Sequence, residues 1–131
     1  MFKTRLTPRF YETDAFGHIN NTVVNCWMET SRQPIFELFA KGPAFKDMCL
    51  ILARTEVDFV AQIYYGEDVE VHAFIEHIGN SSFVVGHEVH QGERLVAKGK
   101  AVQVHFDQHG QQSLPLTDAQ KQQLTAWMKP A

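Results

Sequence analysis

This chain reads as an α+β domain: one antiparallel sheet of about five strands, a single long helix across it, and a short helix at the C-terminal end. Three observations predict this. Between residues 20 and 40, apolar side chains recur at three- and four-residue steps. After residue 49 the period changes to two and holds to about residue 107. In the last of these period-two segments, one face reads Leu95, Ala97, Gly99, Ala101, small enough for another element to lie close against it. The 20–40 helix is the only segment large and apolar enough to fill that role.

The elements follow in order. Residues 2–10 form a short strand candidate that stops at a loop, Tyr11 to Asn21. The helix over 20–40 places Val24, Trp27, Met28, Ile35, Leu38 and Phe39 on one face. Asn20 or Asn21 is suited to cap its start. Pro34 removes a backbone donor, so a kink or restart is expected there, and Gly42 and Pro43 end the helix. Four strands follow, at about 50–62, 67–78, 82–91 and 94–107, with turns at Gly66, Gly79-Asn80 and Gln91-Gly92. Val69, Val71, Ala73 and Ile75 share a face. Thr117-Asp118-Ala119-Gln120 opens the terminal helix, 117–128, with a capping-box pattern. One helix leaves the second face and the edges of such a sheet open, which a second copy of the chain would cover.

Composition narrows the function classes. The 131 residues suffice for one domain, 1–131, and not for a TIM barrel of about 250 residues. A net charge of −3 argues against a nucleic-acid binder, which is usually basic. No run of about 18 apolar residues exists to span a membrane. Cys26 and Cys49 form no CxxC, and no apolar leader precedes the first strand candidate, so a reducing cytoplasm is the expected location.

The chemistry concentrates in Arg9-Phe10-Tyr11-Glu12-Thr13-Asp14-Ala15-Phe16-Gly17-His18-Ile19-Asn20-Asn21. A carboxylate, Asp14, precedes a glycine turn that runs into the start of the long helix. The first N–H groups of a helix lack internal partners and carry positive partial charge, so they can hold an oxyanion. Gly17 permits close backbone approach to a ligand. A carboxylate beside an oxyanion hole suits hydrolysis of an activated carbonyl such as a thioester, with Asp14 attacking directly or activating water. The commoner role of an Asp before a helix is a turn or cap, and a lone His such as His18 is more often structural than catalytic.

The stretch Asp14-Ala15-Phe16-Gly17-His18-Ile19-Asn20-Asn21 resembles the Asp-x-x-Gly-His-Val-Asn-Asn signature of the hotdog-fold acyl-CoA thioesterases of the 4-hydroxybenzoyl-CoA thioesterase type. Tyr64 to Val69 and Ile78 to Phe83 resemble that family's turns into its third and fourth strands. The resemblance implies a helix wrapped by an antiparallel sheet, in dimers often paired into tetramers, with active sites between subunits. It implies Asp14 as the catalytic carboxylate, His18 beside it, and the backbone around Asn20 and Asn21 as the carbonyl-polarising donor. The substrate would be an acyl-CoA or other acyl thioester, with no cofactor. Where relatives carry arginines for coenzyme A phosphates, this chain has Gly79, Asn80 and Ser81.

Substrate contacts are expected from Phe16, Gly17 and Trp27 at the acyl end and from Ser81 and Ser82 at the turn. Lys98 and Lys100, with Arg94, are the cations left to meet a diphosphate. Two rival functions stand beside hydrolysis. A hotdog hydratase places its His five residues after the Asp, whereas Asp14 and His18 are four apart. A non-catalytic acyl-ligand binder is disfavoured by Asp14, because a buried unpaired carboxylate costs several kcal/mol unless something uses or pairs it. No metal site is expected. His87 and His90 fall on opposite strand faces, as do His72 and His77, and His105 and His109 flank a strand end. Cys26 and Cys49 read as packing residues. Glu29 is at mid-helix, on the polar side or facing the site.

Overall fold

The computed structural model describes residues 1–15, 17–40 and 48–130. Its elements are β1 (Phe2–Leu6), a 3₁₀ turn (Phe10–Glu12), α1 (Asn21–Ser31), α2 (Gln33–Phe39), β2 (Leu50–Phe59), β3 (Val69–Ile78), β4 (Ser82–Gln91), β5 (Arg94–Asp107), β6 (Gln112–Ser113) and α3 (Asp118–Ala126). The main sheet is antiparallel in the order β1-β3-β4-β5-β2, and the two-residue β6 pairs with β5.

The expected single long helix is two helices. α1 ends at Arg32, which keeps φ −87° and ψ −1° and caps both helices. Pro34 has no N–H for the Thr30 carbonyl four residues back, and its ring crowds that carbonyl, so the ladder stops and restarts with the proline in the first turn of α2. β1 is also shorter than expected. Pro8 has no ladder donor, and the side chains of Arg5 and Thr7 anchor the end of the strand to the Asp68 carboxylate at 3.0 and 2.8 Å. β2 stops at Phe59 because the Val60 and Ala61 N–H groups both turn to the Val96 carbonyl, at 2.9 and 3.1 Å. The two predicted caps form. The Asn20 side chain accepts from the Thr22 N–H, and Thr117 and Gln120 close a capping box.

The inner face of the sheet carries Val69, Val71, Ala73 and Ile75 of β3, Phe83, Val85 and Val89 of β4, and Ala97 and Ala101 of β5, all buried. Val24, Trp27, Met28, Ile35 and Phe39 of the helices pack on it. Gly99 explains the close approach: a Cβ there would lie 2.9 Å from the Met28 Sδ and 2.7 Å from the Glu56 carbonyl oxygen. The C-terminal tail covers part of the open edge of β3. Beyond the end of β1, the Ile75 N–H donates to the Trp127 carbonyl at 3.0 Å.

The core holds one pair of polar partners that matters for pH. Arg32, 3% exposed at the helix break, donates from Nη1 to Nε2 of His87, 2% exposed on β4, at 3.3 Å. That contact puts the His87 proton on Nδ1. Burial, then the Arg32 charge, push the His87 pKa from 6.5 down to about 3; the Gly99 backbone opposes this weakly. The unfolded chain therefore binds a proton below 6.5 that the folded chain refuses, so stability is lost as pH falls from about 6.5 toward about 3. The expected loss from this group is about 2 kcal/mol at about pH 5 relative to about pH 8. Urea unfolding at the two pH values checks it. The drop in midpoint should shrink in His87→Gln, which keeps an acceptor for Arg32 but does not titrate.

Candidate active site

The segment before α1 folds back on itself. Thr13 bridges Ile19, the Asp14 N–H donates to the His18 carbonyl at 2.8 Å, and the Asn20 N–H donates to the Glu12 carbonyl at 2.8 Å. Gly17 makes the reversal at φ +78°, where side chains are rarely accommodated. The His18 N–H donates to Asp14 Oδ1 at 3.2 Å, which fixes the carboxylate over the loop. Below the loop, Glu12 receives the Arg9 N–H at 2.6 Å and the Trp27 indole N–H at 3.2 Å. Asp14 thus stands on a closed loop that ends at the helix start, as the spacing predicts. It is exposed in the single chain. The desolvation argument against a non-catalytic binder therefore does not apply to this chain alone.

At the helix start the Thr22 N–H goes to the Asn20 side chain and the Val23 N–H to the Asn20 carbonyl at 3.0 Å. The Asn20 carboxamide is thereby committed to capping. The Asn21 N–H is the first-turn donor without a partner among the described residues, and it is the available oxyanion donor. Asn21 also lines a cleft of about 280 Å³ with Ile19, Phe59, Val60, Ala61, Gln62 and Ile63. Phe59 and Val60 give this cleft an exposed apolar wall, about half open to solvent at 48% and 51%. The cleft is lined by polar as well as apolar groups and sets the Phe59–Val60 surface beside the Asn21 N–H.

The far end of β4 builds the other flank. His18 bridges Tyr64 through the backbone, and the two rings meet edge to face at 5.4 Å. Gln91, fully buried, accepts the Tyr64 N–H at 2.9 Å and donates to the Tyr64 and Glu67 carbonyls at 2.8 and 2.9 Å, so it locks the 64–67 turn. The Arg94 guanidinium lies 5.5 Å from the Tyr64 ring centre. Sequence reasoning gives Tyr64, Gln91 and Glu12 no role at this site. The turn Tyr64-Tyr65-Gly66 is the one signal visible along the chain, because the rest depends on strand register.

Other expected contacts are not brought together here. Phe16 lies outside the described residues. Trp27 is only 5% exposed, in the core with Ile19, Val24 and Ile63, so it supports the loop through Glu12 and offers a substrate no open face. Its helical phase, shared with Val24 and Met28, is the reason. Ser81 and Ser82 form the β3–β4 turn, where the Ser81 carbonyl accepts the His105 N–H at 2.8 Å. Ser82 begins β4, while Gln91 and the Asp14 loop lie at its other end, nine residues on, or about 30 Å. Lys98 and Lys100 face outward on β5, in a cleft of about 400 Å³ shared with Glu56, Asp58, Glu76 and Glu88. Lys100 is 3.3 Å from Glu76. Four carboxylates around two ammonium groups make a poor diphosphate seat, so Arg94 is the better-placed cation.

Comparisons with known proteins bear on the fold as a whole rather than on these contacts. Residues 8–124 match the model of the thioesterase-like superfamily. A solved predicted thioesterase from Bacillus stearothermophilus is 42% identical, with a TM-score of 0.94 over 99% of this chain and 98% of that one. A thioesterase from Thermus thermophilus, solved as a complex with coenzyme A and Zn, is 30% identical, with a TM-score of 0.83 over 94% of this chain and 96% of that one. The uncharacterized protein YsmA of Bacillus subtilis is 26% identical over 94% of this chain and 84% of its own length.

Proposed function

The chain belongs to the thioesterase-like superfamily, and on that premise we propose that it hydrolyses an acyl thioester of coenzyme A to a free acid and the thiol. The observation that carries the reading is the closed loop that sets the Asp14 carboxylate beside the start of α1. Asp14 takes the proton of an attacking water, or attacks the carbonyl carbon itself. Charge then builds on the carbonyl oxygen, where the Asn21 N–H and the helix terminus stabilise it. The C–S bond breaks, the thiolate being a good enough leaving group that the step needs no cofactor, and the thiolate takes up the proton released from the water. Where Asp14 itself has attacked, water then hydrolyses the acyl–aspartyl anhydride to the free acid and restores the carboxylate.

The acyl group lies along the Phe59–Val60 wall of the cleft beside Asn21. His18 orients the loop through its contact with Tyr64, with Gly17 beneath the reacting carbonyl. The other end of a coenzyme A molecule reaches Ser81 and Ser82 only on a second copy, so the working unit is a homodimer, paired further into a tetramer. A reducing cytoplasm suits Cys26 and Cys49, neither of which is in a disulfide. Among the described residues no helix is long and apolar enough to cross a membrane.

A panel of acyl-CoA thioesters with free-thiol detection tests the reading. Thiol release well above the rate without protein supports it. Saturable binding without release favours an acyl-ligand binder, and hydration of an enoyl-CoA favours the lyase.

Recognition is expected to rest on the acyl and pantetheine parts. The outer cations are neutralised by carboxylates, and Arg94 is exposed, where a single ionic contact is worth about 0–1 kcal/mol. Truncating the carrier from coenzyme A to pantetheine should lower kcat/KM by less than about thirtyfold, or about 2 kcal/mol. A loss of several thousandfold would reveal a strong nucleotide site elsewhere.

A further inference from the structure

Away from the Asp14 loop, the outer face of β3 and β4 gathers two imidazoles and a carboxylate. His72 stands directly across from Glu88, and Glu70 across from His90. One ligand atom from each of His72, Glu88 and His90 falls within 4.8 Å of the other two. The two rings face each other, 4.6 Å between centres and tilted by 33°. Carboxylates already hold both: Glu70 Oε1 lies 2.7 Å from His72 Nε2, and Glu88 Oε1 lies 3.0 Å from His90 Nε2. Lys129 occupies the other Glu88 oxygen at 2.5 Å, which leaves Oε1 as the one available to the cluster. The side chains are 16%, 24% and 27% exposed for His72, Glu88 and His90, so they are partly desolvated yet open to entry from solvent.

We propose that this face binds a divalent transition-metal ion, with His72, Glu88 and His90 as ligands and zinc as the ion its donors favour. Two imidazole nitrogens and one carboxylate oxygen suit zinc and disfavour magnesium and calcium, which prefer all-oxygen shells. Ligands about 2.1 Å from a tetrahedral zinc stand about 3.4 Å apart. The three atoms, now within 4.8 Å, must therefore close by about 1.4 Å at most. That is a rotamer adjustment on two strands that already hold the Cα positions. The bound ion would tie β3 to β4 on the face opposite the helices, and water would fill its fourth position. Within-strand spacing hides the site, because each strand supplies only one histidine to it.

Tag-free protein stripped with a chelator, then titrated calorimetrically with zinc chloride, tests this. One ion per chain is expected, with a raised Tm and no response to magnesium. His72→Ala/His90→Ala should bind at least about a hundredfold more weakly and lose the rise in Tm. Cobalt(II) should give the visible bands of low-coordinate geometry in the wild type and not in the double variant. Should that variant fail to fold, Glu88→Gln and a zinc-edge anomalous map of the soaked wild type decide instead, with the peak expected between His72 and His90. No saturable binding at ~100 μM zinc, unchanged affinity in the folded variants, or an anomalous peak elsewhere would overturn the proposal.

Discussion

Asp14→Asn is expected to lower kcat on the best acyl-CoA substrate by about a hundredfold or more, with the far-ultraviolet circular dichroism unchanged. The substitution keeps the shape of the side chain and an oxygen that can still receive the His18 N–H. The backbone bonds of the loop, Asp14 N–H to His18 and Asn20 N–H to Glu12, do not involve the carboxylate. What is lost is the negative charge and with it the proton acceptor or nucleophile. KM should move little, because the Phe59–Val60 wall and the Asn21 N–H are untouched. His18→Ala should cost less, about tenfold, since it removes only the ring contact with Tyr64 while the backbone bridge persists. Near-normal turnover in folded Asp14→Asn would remove Asp14 from the mechanism. A His18 loss equal to or larger than the Asp14 loss would point to acid–base chemistry of the hydratase kind, and crotonyl-CoA hydration would then be measured.

What is legible in the sequence is what depends on neighbours along the chain. The helix face, the Asn20 cap, the Thr117 capping box and the Pro34 interruption are local, and all of them form. The Asp14 loop is local too, since the bonds that close it join residues fewer than nine apart. The small face of β5 foretells a close helix, and Met28 against Gly99 supplies it. Features set by strand register are hidden. Gln91 locking the 64–67 turn, Arg94 over Tyr64, and His72 beside His90 all join different elements. The surroundings of Lys98 and Lys100 are hidden for the same reason: their four carboxylate neighbours come from β2, β3 and β4. Trp27 marks another limit. Its helical phase is legible, but phase alone does not say whether aromatic area lines a pocket or fills the core.

In sedimentation equilibrium at micromolar concentration the protein is expected at about twice or four times the chain mass of 15.0 kDa, and not as a monomer. The sheet supplies the reason. β2 is an edge strand of ten residues, paired on one side to β5. Its other side presents a long row of backbone donors and acceptors, which isolated proteins usually blunt or cover. The helices cover only part of the strand: Leu50 is buried in one cluster with Ile35 and Phe39, and Val57 packs against the cluster of Val24, Trp27 and Met28. Leu52 and Phe59 share its inner side, yet they are 47% and 48% exposed, and Val60 beyond them is 51% exposed. This apolar strip runs beside the cleft that holds Asn21, so covering it with a second copy also completes the proposed site. The distance of about 30 Å between the Asp14 loop and the Ser81–Ser82 turn of one chain makes the same demand. Leu52→Asp places a charge on the strip without touching the loop or the cleft lining. It should shift the protein toward the monomer and lower turnover at least about tenfold at nanomolar concentration, with partial recovery as concentration rises. A 15.0 kDa wild-type species that turns over at full rate would refute the shared site.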